Sequence, residues 1–146
     1  MKTKTIRELS ELREVAKEIL SSLEGRRGAQ IIALSGDLGA GKTAFTKEIA
    51  RLLGVVGEIT SPTFVIMKSY EVPAHPTFTI LTHIDAYRIE SDDEMRVLGF
   101  SEILNDPARL VCIEWPEKIE NLIPKDAYIV SLTLNLDETR TLTYGI

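Results

Sequence analysis

Gly36, Gly41, Lys42 and Thr43 stand at the spacing G-x-x-x-x-G-K-[ST], with a further glycine, Gly39, inside the run. Glycines at these places let the backbone curl so that successive N–H groups converge on an anion, and the positive end of a following helix adds to the same field. The lysine of such a loop reaches the β- and γ-phosphates, and its hydroxyl residue holds Mg²⁺. The chemistry predicted is the holding of a nucleoside triphosphate. A plain strand-to-helix turn would use glycine for positive φ but would need neither Lys42 nor Thr43.

A phosphate loop works with oxygen ligands, because Mg²⁺ takes one or two protein oxygens and completes its octahedron with phosphate and water. In open α/β sheets the acidic partner stands at the carboxyl end of a neighbouring strand. Two residues qualify: Asp85 after LTHI and Glu114 after RLVCI. Glu114 follows the more continuously apolar run and is assigned to the metal with Thr43, leaving Asp85 to orient the attacking water or complete the metal shell; the two roles are interchangeable at this level. The catalytic candidates are therefore Lys42, Asp85 and Glu114. Nucleotide contacts are expected from Asp37, Leu38, Gly39, Ala40, Gly41, Lys42, Thr43 and Ala44, and from Thr63, because Thr60, Ser61 and Thr63 offer hydroxyls in a loop of the kind that a γ-phosphate orders. Ser-Pro in that loop equally suits a simple turn.

Other residues rank lower. His83 and His75 lack companions at zinc-like spacing, so His83 is expected to be packed or hydrogen-bonded. Arg88 could approach a γ-phosphate from within the chain or pair with Glu90. Trp115 could anchor its loop by burial, or act as a lid or partner contact.

The elements must hold these residues together. Ile31, Ile32, Ala33 and Leu34 predict a strand before the glycine loop, and Phe45, Ile49, Leu52 and Leu53 a buried helical face after it. Leu9, Leu12, Ala16, Ile19 and Leu23 recur at helical spacing over Arg7 to Glu24; Thr5 with Glu8 fits a capping box, and Gly25 a stop. This helix is expected to pack against the sheet edge, with residues near Thr5 as candidates for touching a base. Phe64 to Tyr70 and Thr77 to Ile84 read as an antiparallel strand pair across the short Val72 to Pro76 connection. Ser91 to Glu94 opens a short helix ending at Gly99, and Phe100 to Leu104 forms a further helical turn. Arg109 to Ile113, Ala127 to Leu136 and Thr139 to Tyr144 are strands, the last two joined at Asp137-Glu138. The predicted fold is α/β, a P-loop-like mixed parallel and antiparallel sheet flanked by helices.

At 146 residues the chain is expected to form one domain, residues 1–146. Its net charge of -5 and pI near 5.1 argue against gripping nucleic acid through phosphates, so no DNA partner is expected. Cys112 is the single cysteine; alone in an apolar run, it suits a core position in a reducing compartment. The first twenty residues mix charges throughout and no run could span a membrane, so a cytoplasmic protein with no membrane partner is expected.

GDLGAGKT at 36 to 43, SPTF at 61 to 64, HIDAYRI at 83 to 89, LGF at 98 to 100 and IEWPE at 113 to 117 occur in that order. In this combination the chain closely resembles the TsaE (YjeE) family of small P-loop ATPases over nearly its whole length. The resemblance implies ATP and Mg²⁺ as cofactors, with Lys42 and Thr43 serving the phosphates and metal, Glu114 the metal, and Asp85 as a further essential acid. It implies TsaD and TsaB homologues as protein partners in making threonylcarbamoyladenosine beside the tRNA anticodon. ATP hydrolysis, weak alone, would support turnover of their complex, and tRNA would be met only indirectly. Two other readings compete: a small-molecule kinase, for which no Arg-rich lid is visible, and a nucleotide-dependent binding module that does not usefully hydrolyse.

Overall fold

The computed structural model describes residues 1–23, 27–62 and 65–146. Along the chain run β1 (Lys2–Ile6), α1 (Leu9–Ser22), β2 (Gln30–Ser35), α2 (Lys42–Leu52), β3 (Met67–Glu71), β4 (Ile80–Asp85), α3 (Asp92–Val97), α4 (Phe100–Leu104), β5 (Arg109–Glu114), a 3-10 segment (Pro116–Leu122), β6 (Tyr128–Leu134) and β7 (Arg140–Gly145). The strands form a seven-stranded sheet in the order β1-β7-β6-β2-β5-β4-β3. Parallel pairing joins β6, β2, β5 and β4, while β1·β7, β6·β7 and β3·β4 are antiparallel. The fold is thus the mixed, helix-flanked α/β sheet that the pattern predicts.

Parallel strands buried on both faces read as continuous apolar runs, and β2 and β5 do so. Alternate residues of each enter opposite layers. Ile32, Leu34, Leu110 and Cys112 meet Leu12, Val15, Ile19, Phe45 and Ile49 of α1 and α2. Ile31, Val111, Ile113 and Ile84 meet Met95, Phe100, Ile103 and Ile119 on the other side. Each large apolar side chain buried in this way contributes about 1.5–3 kcal/mol. Phe45 and Ile49, both at 0% exposure, therefore pin α2, and with it the glycine loop, to the centre of the sheet. Helix α1 lies over Ile6 of the edge strand β1 and over Leu142 and Tyr144 of β7 next to it, in the same layer.

Several boundaries move. Thr5 is not a helix cap: it pairs with Thr141 in β1, and the cap falls at Glu8, whose N–H donates to Glu11 Oε1 at 3.2 Å. Strand β1 has no apolar alternation to announce it, since Lys2, Thr3, Lys4 and Thr5 are all exposed; its pairing with β7 defines it. Strand β3 begins at Met67 rather than 64, because Val65 and Ile66 N–H both donate to the Pro62 carbonyl and Ile66 is left-handed at φ 67°. Strand β4 begins at Ile80 rather than 77, because His75 Nδ1 accepts the Thr77 and Phe78 N–H groups, each at 3.1 Å, and holds that stretch as a turn. The expected helix stop at Gly25 and the residues Thr63 and Phe64 lie outside the described residues. Ser91 and Glu94 form the expected capping box, and Gly99, at φ 80°, separates α3 from α4. Among the described residues no helix is long and apolar enough to cross a membrane.

Candidate active site

The carboxyl ends of β2, β5 and β4 lie side by side, which is where open α/β sheets gather ligands. Leu34 is in register with Glu114, and Glu114 with Asp85. The glycine loop leaves β2 directly above them. Gly41 caps α2 at φ 110°, a conformation that favours glycine. Gly36 packs against β6, where a Cβ would stand 2.6 Å from the Leu132 carbonyl oxygen. Arg140 of β7 braces the loop from outside by donating from Nε to the Ala40 carbonyl at 3.0 Å.

A cavity of about 360 Å³ opens at this end, lined by Leu38 to Ala44 together with Ser61, Asp85, Tyr87, Glu114 and Trp115. The structure thus brings Leu38, Gly39, Ala40, Gly41, Lys42, Thr43, Ala44, Asp85 and Glu114 into the lining of one cavity. Asp37 lies just outside, in a groove with Ser131 to Leu134. Thr63 falls outside the described residues. Arg88 is exposed and not part of the lining.

Within the cavity Thr43 Oγ1 lies 3.1 Å from Glu114 Oε1 and 3.0 Å from Oε2. Glu114 is 4% exposed, and its Oε2 also meets His83 Nε2 at 2.5 Å. Lys42 is folded inward: its ammonium donates to the Gly36 carbonyl, and to the Asp37 carbonyl at 3.4 Å. It also lies 3.7 Å from the centroid of the Trp115 ring, a cation–π contact. Burial holds the ammonium below the ordinary lysine range, with the charges of Glu114, Glu117, Asp85 and Asp37 acting the other way. Trp115 is held in a left-handed backbone conformation at φ 59° and touches Tyr87 with ring centroids 5.0 Å apart. The Asp85 carboxylate accepts the Tyr87 N–H at 3.0 Å.

Hard oxygens converge here without forming an all-protein metal cage. No group of three or more His, Cys, Asp or Glu among the described residues could hold an ion by itself. A hydroxyl, one close carboxylate and a second carboxylate on the next strand fit Mg²⁺, which takes few protein ligands beside phosphate.

The family model for Threonylcarbamoyl adenosine biosynthesis protein TsaE matches residues 6–142. The chain belongs to the TsaE family. It is 40% identical over 133 residues to the tRNA threonylcarbamoyladenosine biosynthesis protein TsaE of Rickettsia felis, covering 90% of this chain and 72% of that one. It is 37% identical over 115 residues to the protein of the same name from Bacillus subtilis, covering 78% and 68%. A crystal structure of Bacillus subtilis YdiB superposes with a TM-score of 0.76 at 26% identity, covering 98% of this chain and 83% of that one.

In this TsaE-family chain the structure adds residues that sequence reasoning passed over. Arg140 reaches the loop across 100 positions of sequence, and no local signal marks it. Tyr87 carries no signal of its own beyond its place in HIDAYRI. A second cavity of about 150 Å³ adjoins the loop on the far side of Gly41 and Ala44, lined by Ile6 to Leu9, Leu12, Leu132 and Arg140. Thr5 is outside that lining, but its neighbours Arg7 and Glu8 are within it; no local signal marks them, because the strand that delivers them, β1, is defined only by its pairing with β7.

Proposed function

We propose that the protein is a Mg²⁺-dependent ATPase of tRNA threonylcarbamoyladenosine biosynthesis, acting in the cytoplasm and coupling hydrolysis to turnover of TsaD and TsaB homologues. One observation carries the enzymatic part: Lys42, Thr43 and Glu114 converge with Asp85 in a single cavity at the mouth of a phosphate loop. The biosynthetic role rests on membership of the family.

Each side chain then has a task. Backbone N–H groups of Gly39 to Thr43 and the α2 dipole receive the phosphates. Lys42 exchanges the Gly36 and Asp37 carbonyls for phosphate oxygens, an exchange favoured because an ammonium buried below its usual basicity gains most from an anionic partner. The Thr43 hydroxyl, now on Glu114, and the Glu114 carboxylate are the two protein oxygens that would hold Mg²⁺, which would supply neutralisation of the charge that develops on the transferred phosphate. Asp85 orients the attacking water from the neighbouring strand end. The smaller cavity, with apolar Ile6, Leu9 and Leu12 beside Arg7 and Glu8, supports seating the base there.

The test is phosphate release from ATP with Mg²⁺, alone and with TsaD and TsaB homologues added. Slow release alone that rises with the partners and requires the metal is expected. Nucleotide binding without release in either condition would leave a binding module, and rapid transfer to a small acceptor would make the protein a kinase.

A further inference from the structure

The period of a strand puts Leu81, His83 and Asp85 on one face of β4, and the register sets His83 beside Cys112, one pleat behind Glu114. His83 is at 0% exposure. Its Nε2 meets Glu114 Oε2 at 2.5 Å, while its Nδ1 has no hydrogen-bond partner among the described residues. That asymmetry assigns the proton. An N–H on Nδ1 would be buried unmet and would leave two lone pairs facing each other across 2.5 Å, so Nε2 carries the hydrogen and donates it to the carboxylate.

A buried imidazole with one unmet nitrogen is a poor choice for stability alone, since an unsatisfied polar atom costs about 1–3 kcal/mol and an apolar side chain would carry no such cost. The single bond it makes is therefore the clue to its purpose. Thr43 Oγ1 lies almost equally far from both oxygens of Glu114, 3.1 and 3.0 Å, and so does not distinguish them. His83 does, because it takes Oε2 alone.

We propose that His83 is a positioning residue for Glu114: by donating from Nε2 to Oε2 it locks the carboxylate's rotation and leaves Oε1 as the oxygen directed to the metal of the nucleotide complex. The inference rests on the Mg²⁺-nucleotide reading of the cavity. Hydrogen-bonded supports behind metal carboxylates and imidazoles are worth 10–100-fold in metal affinity elsewhere, and the same scale is expected here.

Three variants and two readouts test it. In His83→Gln the side-chain amide nitrogen reaches the place of Nε2; in His83→Asn it stops near the place of Nδ1; His83→Ala removes both. Mn²⁺ electron paramagnetic resonance with ADP follows metal capture without turnover, and the Mg²⁺ concentration for half-maximal phosphate release follows the working complex. His83→Ala and His83→Asn are expected to weaken Mn²⁺ capture in the ADP complex about tenfold and to raise the Mg²⁺ requirement in parallel. ADP affinity without metal should stay within about twofold, and His83→Gln should recover most of the loss. Should His83→Ala fail to fold, the Gln and Asn pair decides alone. Equal Mn²⁺ capture by wild type, Gln and Asn variants overturns the positioning role and leaves the nucleotide reading intact. Absence of Mn²⁺-dependent ADP binding in the wild type overturns the nucleotide reading itself.

Discussion

Glu48 on α2 and Glu114 at the end of β5 are both buried carboxylates, 0% and 4% exposed, yet their surroundings differ in kind. Glu48 is met by two arginines: Arg13 of α1, whose Nε lies 2.9 Å from Oε2, and Arg51 one turn along its own helix. Glu114 is met by a hydroxyl and an imidazole, and among the described residues no arginine or lysine forms an ion pair with it. A buried carboxylate flanked by its own cations is finished as an electrostatic unit and clamps α1 to α2. One flanked by hydrogen-bond donors keeps a net negative field at the mouth of a cavity, and Lys42 feels that field. The contrast separates the two acids more clearly than burial does, and it is the one expected if Glu114 has the proposed metal role.

The largest expected effect comes from the cation that shares Glu114's cavity. Lys42→Met should weaken ATP-analogue binding by about 100-fold or more, since it removes a charge-assisted contact to phosphate, measured by calorimetry. Its effect on stability should have the opposite sign. Burial lowers the folded-state basicity of Lys42 below the ordinary value of 10.5, so folding disfavours its charged form; that cost is present in full below the folded value and disappears as pH rises through it toward the unfolded one. At neutral pH Lys42→Met should therefore melt no lower than wild type. A marked drop in melting temperature would give Lys42 a structural role and blur the contrast.

The paired acid should behave the other way. Replacing both Arg13 and Arg51 by Ala leaves Glu48 buried without its cations and should cost about 3 kcal/mol of stability, read by urea unfolding, while nucleotide affinity stays within about twofold. A loss of affinity without loss of stability would mean that the clamp belongs to the site.

Smaller signals come from the residues between them. Trp115 is the only tryptophan, and Lys42 lies over its ring. Nucleotide should draw the ammonium away and change the emission intensity of Trp115, a change that Lys42→Met should abolish. The Cys112 thiol, pushed up to about 12 first by burial and then by the Glu114 charge, should resist thiol reagents at pH 8 until the chain unfolds. Fast labelling of the folded protein would mean that the layer under α2 opens.

How much of this could be read from the residue order follows from the range of the interactions involved. The glycine loop, its strand and its helix were legible because spacing and periodicity are local, and so were Asp85 and Glu114 as acids ending apolar runs. The antiparallel β3·β4 pair was legible from its short connection. Strand β1 was not, because Lys2 to Thr5 bury nothing and owe their conformation to β7. Nor was the helix cap at Glu8, since Thr5 offered the more familiar signal and was drawn into the sheet. His83 was expected to be packed or hydrogen-bonded, and it is both, but its partner lies 31 positions away, a pairing that only the parallel register of β4 and β5 creates. Arg140 beneath Ala40 is hidden for the same reason.

The most direct measurement compares the two glutamates as conservative amides. ATP-analogue binding to Glu114→Gln and Glu48→Gln is measured by calorimetry with and without Mg²⁺. Mg²⁺ should tighten binding to wild type and Glu48→Gln by about tenfold or more, as expected when a metal ligand is intact, and should have little effect on Glu114→Gln. Equal Mg²⁺ enhancement in all three proteins would contradict the metal role of Glu114.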